Sequence, residues 1–148
     1  QIINNNFDIV CFGGEKISSN EYSTFKNLGI EKKIIMLDGN DSILKTLYKN
    51  CSLLVSTSNY EGFGINILEA LSLNCKILSN DIKIFREIYK DSINYFENDN
   101  LDHLIHQLNQ LIFNESKNDI NIKKDIILEN NNWKDTATKT IKLYKSLI

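Results

Sequence analysis

What most constrains the fold of this chain is an alternation of short apolar runs with longer stretches of helical periodicity. Residues 7–12, 33–37, 53–57 and 75–78 are rich in Ile, Val, Leu and Phe, and a shorter run follows at Asn94-Tyr95-Phe96. Such runs, bounded by turn residues, read as strands. Between them the apolar positions recur at helical spacing. Tyr22, Phe25 and Leu28 share a face in residues 19–28, as do Ile43, Leu44, Leu47 and Tyr48 after Asp41. Ile67, Leu68, Ala70, Leu71 and Leu73 mark a third helix and residues 84–89 a fourth. Leu101, Leu104, Ile105, Leu108, Leu111 and Ile112 mark a fifth. Strands joined by helices predict parallel βαβ units, hence an α/β fold: a Rossmann-like open parallel sheet with helices on both faces. About four strands are expected, with the short run near Tyr95 as an addition. At 148 residues, residues 1–148 are expected to form a single domain able to bury about two-thirds of its unfolded surface.

Proline is absent, so the turns depend on Gly, Asn and Asp. Gly29 is placed to terminate the first helix. Asp38-Gly39-Asn40-Asp41 is a turn in which Asp41 or Ser42 can cap the next helix, and Asn74 can take the left-handed geometry that ends the third. Gly13-Gly14 follows the first strand. A phosphate loop would need a third glycine at dinucleotide spacing or a Lys-Ser/Thr pair, and neither is present. Lys16 is read as a solvated side chain.

The stretch from Ser58 to Ala70 carries the chemistry. It lies where the third strand ends and a helix begins, the rim at which open α/β sheets bind ligands. Gly62 and Gly64 admit a ligand close to the backbone and tolerate positive φ. The amides of Gly64, Ile65 and Asn66 are then free donors of a helix N-terminus, which attract an anion such as phosphate. Glu61 precedes the bend and Glu69 follows about one helical turn later, so both carboxylates can face one crevice. A carboxylate can accept two hydrogen bonds from a vicinal diol, each worth roughly 1.5–3 kcal/mol. Phosphate donors between two such carboxylates point to a nucleotide sugar. A purely structural alternative fits the same letters: Asn66 as N-cap with Glu69 reaching back to its amide, a capping box, beside a solvated Glu61 and plain turn glycines.

Glu61, seven intervening residues and Glu69, with Gly62-Phe63-Gly64 after the first Glu and Ala70 after the second, resembles the signature of the family-4 retaining glycosyltransferases of the GT-B fold. The likeness extends along the chain. Residues 7–14 resemble the family's second strand and glycine turn of the carboxy-terminal half. Residues 34–37, Leu47-Tyr48 and 51–55 resemble the elements leading into the motif. Residues 76–81 with Arg86-Glu87 resemble the next strand and acidic position, and Asn132-Trp133 with the helix to Tyr144 the closing segment. The resemblance implies Glu61 as the catalytic-site carboxylate that holds the transferred sugar. It implies Gly62, Phe63, Gly64, Ile65, Asn66 and Glu69 as donor-binding residues, with Glu69 on the ribose. It makes Glu87 a helix-start residue.

The resemblance also implies that the nucleotide-sugar donor is a substrate, with no cofactor or metal required, and that a glycan or lipid-linked molecule is the acceptor. One βα unit, with the Arg and Lys that bind the donor pyrophosphate, and an acceptor-binding amino-terminal GT-B domain would be missing from this chain. The chain alone is therefore expected to be inactive. Asp38 departs from the family's small residue at the turn bordering the base, so no base-binding residue is assigned.

Charge and composition narrow the remaining classes. A net charge of −2 gives no electrostatic case for nucleic acid as a partner. No apolar run approaches bilayer length and no signal peptide is visible at Gln1. Cys11, Cys51 and Cys75 are odd in number and widely spaced, and are expected as reduced thiols acting as small hydrophobes in a cytoplasmic protein. His103 and His106 lack a carboxylate or thiol in a recognisable metal motif and are read as surface residues. The last helix places Ile141, Tyr144 and Ile148 on one side, and Lys139, Lys142 and Lys145 on another. That basic face would support peripheral contact with the inner face of a membrane, although a solvated face is the simpler reading. Three rival functions stay open: a nucleotide-sugar epimerase of GT-B architecture, a non-enzymatic phosphate- or nucleotide-binding α/β domain, and a folding or assembly module.

Overall fold

The computed structural model describes residues 7–113 and 120–147. The Ile2-Ile3 and Asn4–Asn6 lead, the polar loop expected over residues 114–119, and Ile148 lie outside the described residues. The described elements run β1 Ile9–Phe12, α1 Ser19–Asn27, a 3-10 turn Glu31–Lys33, β2 Ile34–Leu37, α2 Asp41–Asn50, β3 Leu54–Ser56 and α3 Ile65–Ser72. They continue with β4 Ile77–Asn80, α4 Lys83–Tyr89, β5 Asn94–Phe96, α5 Leu101–Phe113, α6 Ile120–Asn130 and α7 Trp133–Ser146. Every ladder is parallel, as the strand–helix alternation requires. The hydrogen bonds fall into two sheets, β1-β2 and β3-β4-β5. Ile9 lies opposite Ile34 in the first; Leu54 lies opposite Ile77 and Leu78 opposite Asn94 in the second.

The chain packs as two compact units, Gln1–Leu47 and Tyr48–Ile148, with the boundary inside α2. In the first unit, local signals set the helix ends. Ser18 caps α1 through a capping box in which its Oγ accepts the Glu21 amide and its own amide donates to the Glu21 carboxylate. Gly29 ends α1 with φ +67°, its amide donating to Lys26 O and that of Ile30 to Phe25 O, the double bond of a Schellman turn. For α2 the expected cap is corrected by one residue. Asn40, rather than Asp41 or Ser42, accepts the amides of Ser42 and Ile43 on its Oδ1. An Asx side chain one residue before the helix reaches those donors with less strain than one already inside it.

The core lies in the second unit. All four residues of β4 are buried, as expected of a central parallel strand covered on both faces. Leu78, Phe96 and Leu111 form one cluster, joined by Leu53, Leu104 and Leu108. Ile67, Ala70 and Leu71 of α3 and Phe85 and Tyr89 of α4 are also buried. α3 ends as the sequence indicates: Asn74 adopts φ +62°, its amide donates to Leu71 O and that of Cys75 to Ala70 O. The Asn74 side chain also accepts from Lys124 of α6. Glu87 sits mid-helix in α4 and not at a helix start, so the analogy fails at that position. The helix begins earlier, after the extended residue Ile82.

Candidate functional site: the bend between β3 and α3

The loop from Thr57 to Gly64 joins β3 to α3, and its geometry is set by Gly64. This residue is the N-cap of α3 at φ +76°, ψ +60°, a left-handed conformation that costs an L-residue roughly 1–2 kcal/mol. Space imposes a second constraint. A Cβ on Gly64 would lie 2.5 Å from Cε1 of Phe85, a ring fully buried in the core. Gly62 is different: its φ is not positive and a Cβ there would meet nothing within 4 Å. Of the two glycines read as tolerating positive φ, only Gly64 adopts it.

Because α3 starts at Ile65, Asn66 is its second residue, and the capping-box alternative does not form. Asn66 Oδ1 accepts the Ile67 amide at 3.0 Å. Glu69 accepts instead from Tyr48 Oη at 3.4 Å. Burial, with the Glu69 carboxylate adding, pushes the Tyr48 hydroxyl up to about 12, so it stays a donor at any physiological pH. The amides of Ile65 and Asn66 fall in the first turn, where a helix offers them no internal acceptor.

α4 braces the bend from beneath. The buried Tyr89 hydroxyl donates to Gly64 O at 2.8 Å, with Phe63 O also in reach at 3.1 Å. Burial, and then Tyr95 and Glu61, push this hydroxyl above its usual range. The Phe63 ring meets Tyr89 edge-on, with centroids 6.3 Å apart, and Phe85 packs on Tyr89 at 5.9 Å. Full burial of the Phe85 ring contributes about 1.5–3 kcal/mol, and the half-buried Phe63 less. At the other end of the loop, the buried amide of Asn80, at the carboxyl end of β4, donates to Asn59 Oδ1 at 2.7 Å and Asn98 Oδ1 at 2.8 Å. The bend is thus fastened at both ends. Glu61 is half-buried, while Ile65 and Glu69 are exposed.

α4 is itself anchored by Arg86. Arg86 does not pair with its neighbour Glu87. It grips Asp81 through two hydrogen bonds of 2.7 and 2.6 Å and lies 3.8 Å over the Tyr95 ring. The Arg86 hydrogen bonds hold the Asp81 carboxyl below its ordinary value. A folded-state value below the unfolded one means that the contribution is complete above the ordinary Asp range and disappears as pH falls through the lowered value. The side chains are 47% and 34% exposed, so solvent screening limits the pair to about 1 kcal/mol. Asp81→Asn should lower stability by about that amount at neutral pH. The difference from the parent should fade as pH drops below the ordinary Asp range and through the lowered folded-state value, as read from denaturant midpoints across pH.

Sequence reasoning missed Phe85, Tyr89 and Asn80 as supports of the bend. Their spacing marks Phe85 and Tyr89 as core residues on one helix face, but no local pattern says which carbonyl a buried hydroxyl will meet. His103 accepts the Glu97 amide on Nδ1 at 3.1 Å and its Nε2 lies 3.0 Å from Gln107 Nε2, which ties it into the start of α5. No group of three or more His, Cys, Asp or Glu that could hold a metal ion occurs among the described residues.

The architecture is a parallel α/β fold with a glycine bend at a strand's carboxyl end, and the solved structures it resembles have the GT-B fold. The chain superposes on a glycosyltransferase from Rickettsia africae with a TM-score of 0.79 at 18% identity, covering 97% of this chain and 40% of that one. It superposes on TarM with a TM-score of 0.77 at 18% identity, covering 95% of this chain and 29% of that one. Residues 1–127 match the family model for glycosyl transferases group 1, and the chain belongs to that family. It is 29% identical over 124 residues to an uncharacterized glycosyltransferase, MJ1607, of Methanocaldococcus jannaschii, covering 80% of this chain and 32% of that relative. It is 32% identical over 68 residues to the serotype-specific mannosyltransferase WbdA of Escherichia coli, covering 45% of this chain and 8% of that protein. The chain thus spans about a third or less of the length of the curated relatives it matches.

Proposed function

We propose that this chain is the donor-binding part of a retaining, family-4 glycosyltransferase that moves a hexosyl group from a nucleotide sugar to a glycan or lipid-linked acceptor. The observation that carries the reading is the left-handed Gly64 N-cap, which opens the first turn of α3 between Glu61 and Glu69. In this reading the leaving group is a nucleoside diphosphate. The amides of Gly64, Ile65 and Asn66 meet its developing negative charge, a preorganised donor set of the kind that lowers acyl- and phosphoryl-transfer barriers. Glu61 holds hydroxyls of the transferred sugar beside the reacting carbon, and Glu69 takes the ribose diol. Phe63 fixes the bend by packing on Tyr89.

Acceptor binding and a cationic pair for the pyrophosphate are assigned to parts of a longer protein, so the chain alone is inactive. The donor is a substrate, and no metal or cofactor is part of the scheme. A glycan acceptor fits the serotype-specific mannosyltransferase among the relatives. A cytoplasmic site, where nucleotide sugars are made, completes the reading. No helix among the described residues is long and apolar enough to cross a membrane, and the lysines of α7 leave peripheral contact with a membrane as a secondary feature.

The test is a thermal-shift panel of nucleoside diphosphates and sugar nucleotides on the full-length protein. A ligand at about a hundred times its Kd adds roughly 2.7 kcal/mol to the folded state. One base is therefore expected to raise Tm by several degrees. A flat response to every nucleotide in the panel would contradict donor binding, and turnover of a sugar nucleotide to its epimer without acceptor would favour an epimerase.

A further inference from the structure

Cys51 and Cys75, 24 residues apart in sequence, bring their sulfurs to 3.1 Å. Cys51 follows the end of α2, with its Sγ 3.8 Å from Tyr48 O. Cys75 follows the Schellman turn of α3, its amide held by Ala70 O and its Sγ 3.2 Å from Lys76 O. All three cysteines are free thiols, but the expectation that they act as small hydrophobes fits Cys75 alone. Cys75 is buried, but Cys11 and Cys51 are exposed, and two of the three thiols meet.

We propose that Cys51 and Cys75 form a reversible thiol–disulfide modification site, which takes low-molecular-weight disulfides as its oxidising substrate. The exposed Cys51 is the attacking sulfur. Its thiolate displaces one sulfur of the small disulfide, whose S–S bond breaks; one small thiolate leaves and takes a proton. Cys75 then loses its proton and attacks Cys51 Sγ, which expels the second small thiol. In sum, two protein thiols and one small disulfide give one protein disulfide and two small thiols, and two electrons pass from the protein to the probe.

A disulfide requires sulfurs about 2.05 Å apart, so closure asks for a movement of only about 1 Å. Both backbone segments are already fixed next to each other. Burial pushes the Cys75 thiol up to about 12, so ring closure accelerates as pH rises. The bond would join the end of α2 to the turn after α3 and staple the second unit by restricting its unfolded state. This inference rests on the sulfur geometry alone, so it stands or falls apart from the donor reading.

The full chain carrying Cys11→Ser, incubated with oxidised glutathione in mildly alkaline buffer because the thiolate is the attacking species, provides the test. Intact mass and non-reducing peptide mapping should show loss of two hydrogens and a Cys51–Cys75 cross-link. Dithiothreitol should reverse it, and the oxidised protein should melt several degrees higher. Cys75→Ser should stop at a glutathione adduct on Cys51, and Cys51→Ser, which alters only an exposed side chain, should form no cross-link. A parent chain that ends as a persistent adduct on Cys51, or stays fully reduced while folded by circular dichroism, would overturn the proposal.

Discussion

Replacing Gly64 with alanine is expected to destabilise the protein by about 2–4 kcal/mol, the sum of a left-handed backbone penalty and an overpacking penalty. Both terms come from one residue. Its φ of +76° disfavours any side chain, and the added methyl would press on a Phe85 ring that is 0% exposed and has nowhere to move. The loss is a large fraction of the roughly 5–15 kcal/mol that holds a typical domain folded. Denaturant unfolding measures it. Gly62→Ala is the matched control, because that position has an ordinary backbone and open space. Its stability should stay within about 0.5 kcal/mol of the parent. A Gly62→Ala variant that is stable yet binds nucleotide poorly would show that the open space belongs to the ligand. Equal destabilisation by the two substitutions would contradict the geometry of the bend.

Glu69→Ala should raise the donor Kd and KM of the full-length enzyme by at least about 10- to 100-fold, the worth of one of the two charged hydrogen bonds to the diol at roughly 1.5–3 kcal/mol. The turnover at saturating donor should fall much less, since the ribose lies away from the reacting carbon and its binding is shared by ground and transition states. Glu69 also accepts from Tyr48, a residue only 7% exposed, so the alanine variant should lose about 1 kcal/mol of stability as well. Glu69→Gln separates the two effects: it keeps an acceptor for Tyr48 and removes the charge. Parental stability with a weakened donor KM is the expected result for Glu69→Gln. A donor KM unchanged in both variants would remove Glu69 from the ribose.

Much of the architecture was legible because parallel βαβ units write themselves in two alternating periods. β2, β4 and β5 fall within a residue or two of their apolar runs, and Gly29 and Asn74 take the left-handed turns their chemistry offers. Less legible was anything decided by contacts between distant segments. Asn66 followed by Glu69 reads as a capping box, yet the left-handed Gly64 starts the helix before Asn66 and leaves Glu69 to Tyr48, 21 residues upstream. Arg86 has an acidic neighbour in Glu87, yet the guanidinium finds Asp81 and the face of Tyr95. Cys51 and Cys75 read as unrelated because spacing along the chain carries no information about two turns that pack together. The division of the strands into two sheets is likewise invisible in a sequence, since each strand's own pattern does not name its partner.

In the proposed reading the amides opening α3, flanked by Glu61 and Glu69, receive the diphosphate of the donor. Hydrogen exchange of the full-length protein, with and without a saturating nucleoside diphosphate, reports on those amides directly. Slowed exchange concentrated in the peptide that spans Gly62 to Glu69 is the expected result. Saturation of the protein by nucleotide with exchange in that peptide unchanged would contradict it.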